Sequence, residues 1–320
     1  MTSPRRSLLP HLVLAGGIAV AAAASIMIRL AQSLGLPSTT IAAGRLAIAA
    51  LILLPLALAQ ARGELGALRR RDILLSVASG LFLAVHFAAW ISSLEFTSVA
   101  SSVALVSTNP LWVALASALL FRERLSAATL LGVALTIGGS VLIGLSDSSG
   151  GGGSNALLGN GLALLGAAAG SGYFLIGRGL RRRLSILAYI WLAYSSAAVA
   201  LVLLALAVGP GDLGALWRSV SLGGVALSGF ALLAGLAIGP QLLGHTAFNW
   251  SLRYLSATFV TVALLGEPIG SALLALLIFG EGFQPLQLAG FVLLLAGIAS
   301  AARAEQAAPS ALAGAQPGHS

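Results

Sequence analysis

Ten apolar stretches, each long enough to cross a bilayer, interrupt this sequence. A spanning helix needs about 20 residues, because each residue rises about 1.5 Å and the hydrocarbon layer is roughly 30 Å thick. The stretches fall at residues 11–32, 38–60, 72–93, 96–120, 126–146, 156–177, 185–208, 221–250, 255–279 and 285–303. Apolar residues recur on all their helical faces, as in helices embedded in lipid. Alternating polar and apolar strands are absent, which argues against a β-barrel. Only 8% of the 320 residues are charged and 58% are hydrophobic, too little charge to cover a water-soluble domain. The expected fold class is an all-α integral membrane protein with ten transmembrane helices.

The arginines orient it. All 17 cationic side chains are Arg, and Lys is absent. With so much Ala and Gly, this usage points to a GC-rich bacterial genome and to the cytoplasmic (inner) membrane. If the first segment is cytoplasmic, 14 arginines lie on the inner side, Arg218 alone lies outside, and Arg29 and Arg45 lie within spans. This bias fixes topology and places both termini in the cytoplasm. It also accounts for the net charge of +8 without a nucleic-acid partner. Arg5 and Arg6 ahead of an apolar run imitate a signal peptide, but the run continues past the small residues at 21–25, so the first span is expected to be retained. With no cysteine, disulfides and thiolate chemistry are excluded.

The chain divides in the middle. Residues 148–154 carry four consecutive glycines, Gly150 to Gly153, and read as a flexible linker. Five spans precede it in residues 1–147 and five follow in residues 155–303; the tail, 304–320, is expected to be disordered. Pro110 and Pro268, Phe121 and Phe279, Glu123 and Glu281, Gly132 and Gly290, and Gly139 and Gly297 are each 158 residues apart. An odd number of spans per half turns the second copy upside down, and the charges agree. Phe121-Arg122-Glu123-Arg124 on the inner side becomes Phe279-Gly280-Glu281-Gly282 on the outer side. Inverted repeats characterise secondary transporters, in which two equivalent packings of the halves open the site to opposite sides.

The segments EFTSVASSVALVSTNPLWVALASALLFRERL (95–125) and LRYLSATFVTVALLGEPIGSALLALLIFGEGF (252–283), with Arg45 in RLAIAALILLPLALA, resemble the EamA-type transporters of the drug/metabolite transporter superfamily. The resemblance covers roughly residues 10–303. It implies two inverted five-helix repeats, a central cavity, alternating access, and export of amino acids or similar small metabolites.

Polar residues inside the spans are the candidate substrate contacts. Glu267 lies near the middle of the ninth span, next to Pro268. A carboxylate at this depth is costly and faces a cavity or a partner. It reads as a substrate- or proton-binding group, or as a hydrogen-bonded support of a helix kinked at Pro268. Asn109, beside Pro110, is its repeat mate and lines the cavity or supports the kink. Arg45 in the second span pairs with a carboxylate such as Glu267, attracts an anionic group, or snorkels outward; Arg29, nearer the outer end of the first span, reads as snorkelling. His86 and His245 are titratable or packing residues, without the spacing of a metal site. Trp112, Tyr173 and Tyr194 are candidate pocket aromatics, whereas Trp90 and Trp250 read as interfacial. Gly132, Gly139, Gly159, Gly170 and Gly172 read as helix-contact positions.

No phosphate loop, metal cluster or nucleophile–base motif is present, so no cofactor is expected. The sequence leads to a non-enzymatic exporter whose partners are a small-molecule substrate, protons where coupling exists, and the bilayer. The alternatives are a multidrug exporter of aromatic cations, a membrane enzyme or lipid-processing protein with a buried carboxylate, and a passive channel.

Overall fold

The computed structural model describes residues 8–121, 127–147, 153–181, 183–251, 263–264 and 266–307. Arg122 and Glu123 of the repeated motif, the glycine run through Gly152, the first half of the ninth span with Arg253, and the tail beyond residue 307 lie outside the described residues.

The first half contains α1 (Leu9–Ser33), α2 (Ser38–Gln60), a short α3 (Arg62–Gly66), α4 (Arg70–Phe96), α5 (Val99–Val106), α6 (Asn109–Phe121) and α7 (Ala127–Ser146). The second contains α8 (Ala156–Leu180), α9 (Ile186–Val208), strands β1 (Ser219–Leu222) and β2 (Val225–Ser228), α10 (Gly229–Leu236), a π-helical segment Ala237–Gly244, α11 (His245–Ser251), α12 (Gly266–Phe279) and α13 (Pro285–Ala307). Among the described residues seven helices are long and apolar enough to span a membrane, and Val99–Val113, Gly266–Phe279 and Pro285–Ser300 are shorter apolar helices.

Two expected spans are corrected. The fourth, read as continuous over 96–120, is broken between α5 and α6. Pro110 has no N–H and its ring excludes the carbonyl four residues earlier, so the α5 helix ends at Val106. Ser107 and Thr108 then donate to the carbonyls of Val103 and Leu105, both at 2.7 Å. The eighth, read from 221, begins with a hairpin instead. Leu222 pairs with Val225 across Gly223-Gly224, whose φ angles of 57° and 84° suit the tight turn that only glycine pairs enter freely.

The halves pack on each other in a symmetric pattern. α4 lies on α8, α2 on α9, α7 on α13, and α1 on α12, the π segment and α11. Exchanging corresponding helices of the two halves returns the same set: α4 on α8 becomes the α10–α11 segment on α1, while α2 on α9 and α7 on α13 map onto themselves. The repeated glycines lie at one such crossing. A Cβ on Gly139 would stand 2.6 Å from the Gly290 carbonyl oxygen, and one on Gly297 would stand 2.7 Å from that of Gly132. These contacts map onto each other under the 158-residue offset. As α7 descends from 139 to 132, α13 ascends from 290 to 297, so the equivalent helices run antiparallel, the relation required of inverted copies. Because the obstacle is backbone, Gly139→Val is expected to cost about 1–3 kcal/mol through overpacking, read as a lower Tm in detergent; Gly138→Val, which meets nothing within 4 Å, should not.

Candidate functional site

Most of the polar residues singled out in the spans converge where the halves meet. Arg45, about two turns into α2, is only 2% exposed. Its Nε donates to Gln241 Oε1 at 3.0 Å, and its Cζ stands 4.3 Å above the centroid of the Phe87 ring. Its Nη1 is buried without a hydrogen-bond partner. An unpaired buried donor is costly, so this nitrogen is poised for an anionic group. Gln241 itself is presented by the π-helical turn around Pro240; such irregular turns re-aim side chains and concentrate at functional sites.

Glu267 occupies the first turn of α12, with its backbone N–H donating to the Leu264 carbonyl at 3.0 Å. Its carboxyl is within electrostatic reach of Arg45 but forms no ion pair with it; the direct partner of Arg45 is Gln241. The half-buried Asn109 opens α6, and Ser171 of α8 donates to its carbonyl at 3.0 Å. Both proline-adjacent residues therefore sit at helix starts that the prolines create.

Aromatic groups surround this centre. The Tyr194 hydroxyl lies close to Gln241 and Tyr173. The Tyr173 and Tyr189 rings stack with centroids 6.0 Å apart, and the Tyr189 hydroxyl hydrogen-bonds Ser79 at 2.8 Å. Trp112 donates from Nε1 to Thr108 Oγ1 at 3.2 Å. His86 donates from Nδ1 to the Gly166 carbonyl at 2.8 Å, which assigns a proton to Nδ1. Gly170 allows this proximity, since a Cβ there would fall 2.8 Å from His86 Nδ1 and 3.1 Å from Asn109 Oδ1. His245 opens α11; its side chain, like those of Pro110 and Trp250, is outside the described set. Among the described residues no group of three or more His, Cys, Asp or Glu is placed to hold a metal ion.

Two sequence expectations are corrected. Trp90 is not interfacial: it is 6% exposed and stacks on His86, because Gly166 lets α8 approach α4. Arg29 does not simply snorkel: its Nη2 donates to the Thr97 carbonyl at 2.8 Å and pairs with Glu281 at 3.4 Å.

That ion pair belongs to a polar cluster absent from the sequence reading, at the arginine-poor end of the bundle. Glu281 accepts from the Val99 N–H at 2.9 Å. Beside it, buried Asp147 accepts from Asn160 at 2.7 Å, Ser101 at 3.1 Å and Gln287 at 3.3 Å. Burial pushes the Asp147 carboxyl above its usual range, against the opposing effect of hydrogen bonds from Asn160, Ser101 and Thr97. The cluster ties α1, α4, α5, α7, α8 and α13 together across both halves.

The sequence matches the EamA-like transporter family over residues 8–145 and again over 157–302. No curated protein matches it. Among solved structures, one crystal structure of another protein superposes with a TM-score of 0.58 at 19% identity, covering 92% of this chain and 96% of that one; at this identity the likeness establishes the fold alone. With the family matched once in each half, over nearly the whole length, the chain belongs to the EamA-like transporter family.

Proposed function

We propose that this membrane transporter is a secondary exporter of amino acids or similar small zwitterionic metabolites. In this reading ten helices form two inverted halves in a bacterial cytoplasmic membrane, with both termini inside, and alternating access moves the substrate. The observation that carries it is Arg45. A buried guanidinium with an unpaired Nη1 meets a substrate carboxylate in two-pronged fashion. Glu267 supplies the opposite charge nearby, suited to an ammonium group. Phe87, Tyr173, Tyr194 and Trp112 supply apolar and hydroxyl contacts, and Asn109 a neutral polar one. The Arg29–Glu281 pair and the Asp147 cluster tie the two halves together at the arginine-poor end, and Asp72–Arg183 ties them at the other.

The test is counterflow in proteoliposomes. Saturable exchange is expected for amino acids carrying both a free carboxylate and an ammonium group, and not for their esters or the corresponding amines. Preference for aromatic cations lacking a carboxylate would instead establish the multidrug reading, and conductance without saturable exchange would establish a channel.

A further inference from the structure

We propose that a file of buried hydroxyl groups carries protons between the central site and the arginine-rich end, coupling transport to a pH gradient. It rests on the transport reading above, which supplies the site where the file begins. Gln241, the partner of Arg45, also holds the Tyr194 hydroxyl, and Tyr194 and Glu267 both lie within electrostatic reach of Arg45. The Tyr173 hydroxyl adjoins those of Tyr194 and Tyr189. Tyr189 in turn hydrogen-bonds Ser79 at 2.8 Å, with Arg181 the charged group within its reach. Ser79, Ser76 and Asp72 then follow at intervals of three and four residues along one face of α4, and all three are buried. Asp72 pairs with Arg183 at 3.0 Å and, with Glu64 and Arg69, lines a cavity of about 330 Å³ at that end.

Two observations mark this file as a path. The first is that Ser76 Oγ and Asp72 Oδ1 are both buried without a hydrogen-bond partner. An unpaired hydroxyl inside a spanning helix is costly, and packing alone does not require it, since Ala would fill the same place. Residues four apart on a helix stand about 5–6 Å apart, the reach of one bridging water, which would join Ser76 to Asp72. The second is that the file is one-sided. At the 158-residue offset the positions of Asp72, Ser76 and Ser79 are taken by Phe230, Ala234 and Ala237, so the repeated fold does not itself demand polar groups there. Along the file each oxygen accepts one proton and releases its own. One proton leaves the Glu267 carboxyl, one reaches Asp72 and then the cavity, and no hydroxyl in between keeps a charge. Gln241 orients Tyr194 and conducts nothing.

The test uses the full chain in proteoliposomes loaded with zwitterionic amino acids, in two assays: exchange at equal pH on both sides, and net flux driven by an imposed pH gradient. Tyr189→Phe keeps the ring that stacks on Tyr173 and removes the hydroxyl. Ser76→Ala removes a hydroxyl without a partner, so its Tm should not fall. Each variant is expected to lower driven flux about tenfold or more and to leave exchange within about twofold. Ser196→Ala, whose hydroxyl bonds the Leu192 carbonyl one turn back, should change neither. Driven flux at the wild-type rate in either relay variant, or an equal fall in both assays, would overturn the relay. So would a wild-type protein that exchanges amino acids but ignores the gradient, an outcome that leaves the substrate reading standing. A wild-type protein that exchanges no amino acid refutes that reading, and the relay with it.

Discussion

Replacing Arg45 by Gln is expected to lower transport kcat/KM by about 100-fold or more while leaving Tm unchanged or slightly raised. The two effects part company for a physical reason. A guanidinium that is 2% exposed with one nitrogen unpaired is a burden in the empty protein, since desolvating a charge is poorly repaid by one hydrogen bond to Gln241 and a ring contact with Phe87. Gln removes that burden and keeps a polar group facing Gln241. What is lost is the partner that the proposed function assigns to the substrate carboxylate. Arg45→Lys should retain charge but not the planar two-pronged geometry, and is expected to raise KM more than it lowers kcat. Glu267→Gln completes the comparison: as the group facing the substrate ammonium it should weaken zwitterion binding, and as a proton carrier it should also abolish dependence on a pH gradient. A folded Arg45→Gln protein that exchanges amino acids at the normal rate would remove the basis of the proposed site.

Much of this arrangement is legible in the sequence because membrane insertion leaves few degrees of freedom. A lone Arg or Glu among apolar residues must turn inward, which brings Arg45 and Glu267 toward one interior. A proline inside a span can mark a helix break, as at Pro110, although Pro55 lies within the unbroken α2. Glycines repeated at a fixed offset mark a crossing, as at Gly139 and Gly290. What stays illegible are partners chosen by three-dimensional proximity. Gln241 is a single amide in a long apolar run, and only the π-helical turn at Pro240 aims it at Arg45. Asp147, Asn160 and Gln287 come from different helices and obey no period, so nothing linear joins them. The β1–β2 hairpin was hidden because its strands are as apolar as a span, although Gly223-Gly224 carried a turn signal.

Breaking the cluster at the arginine-poor end is expected to open that end. Glu281 is held by Arg29 and by the Val99 N–H, and charge-assisted bonds of this kind contribute about 1–3 kcal/mol when partly buried. Glu281→Ala should therefore shift the balance between closed and open conformations about tenfold, taking 1.4 kcal/mol per factor of ten. The cysteine-free sequence makes the readout simple: Trp112→Cys introduces a single thiol at the central site, and its reaction with a membrane-impermeant maleimide added at the arginine-poor side should quicken by that factor in the Glu281→Ala background. Asp147 adds a pH dependence with a defined sign. Burial raises its carboxyl in the closed cluster relative to an opened, hydrated one, so the closed form binds more protons. Lowering the pH toward the ordinary carboxylate range should slow labelling, and raising it should speed labelling until the group is fully ionised in both forms. Asp147→Asn keeps an acceptor for Ser101 and removes the titration, so labelling in that variant should lose this pH dependence. Labelling rates indifferent to both Glu281→Ala and Asp147→Asn would mean that the cluster merely braces the fold and that the pathway opens elsewhere.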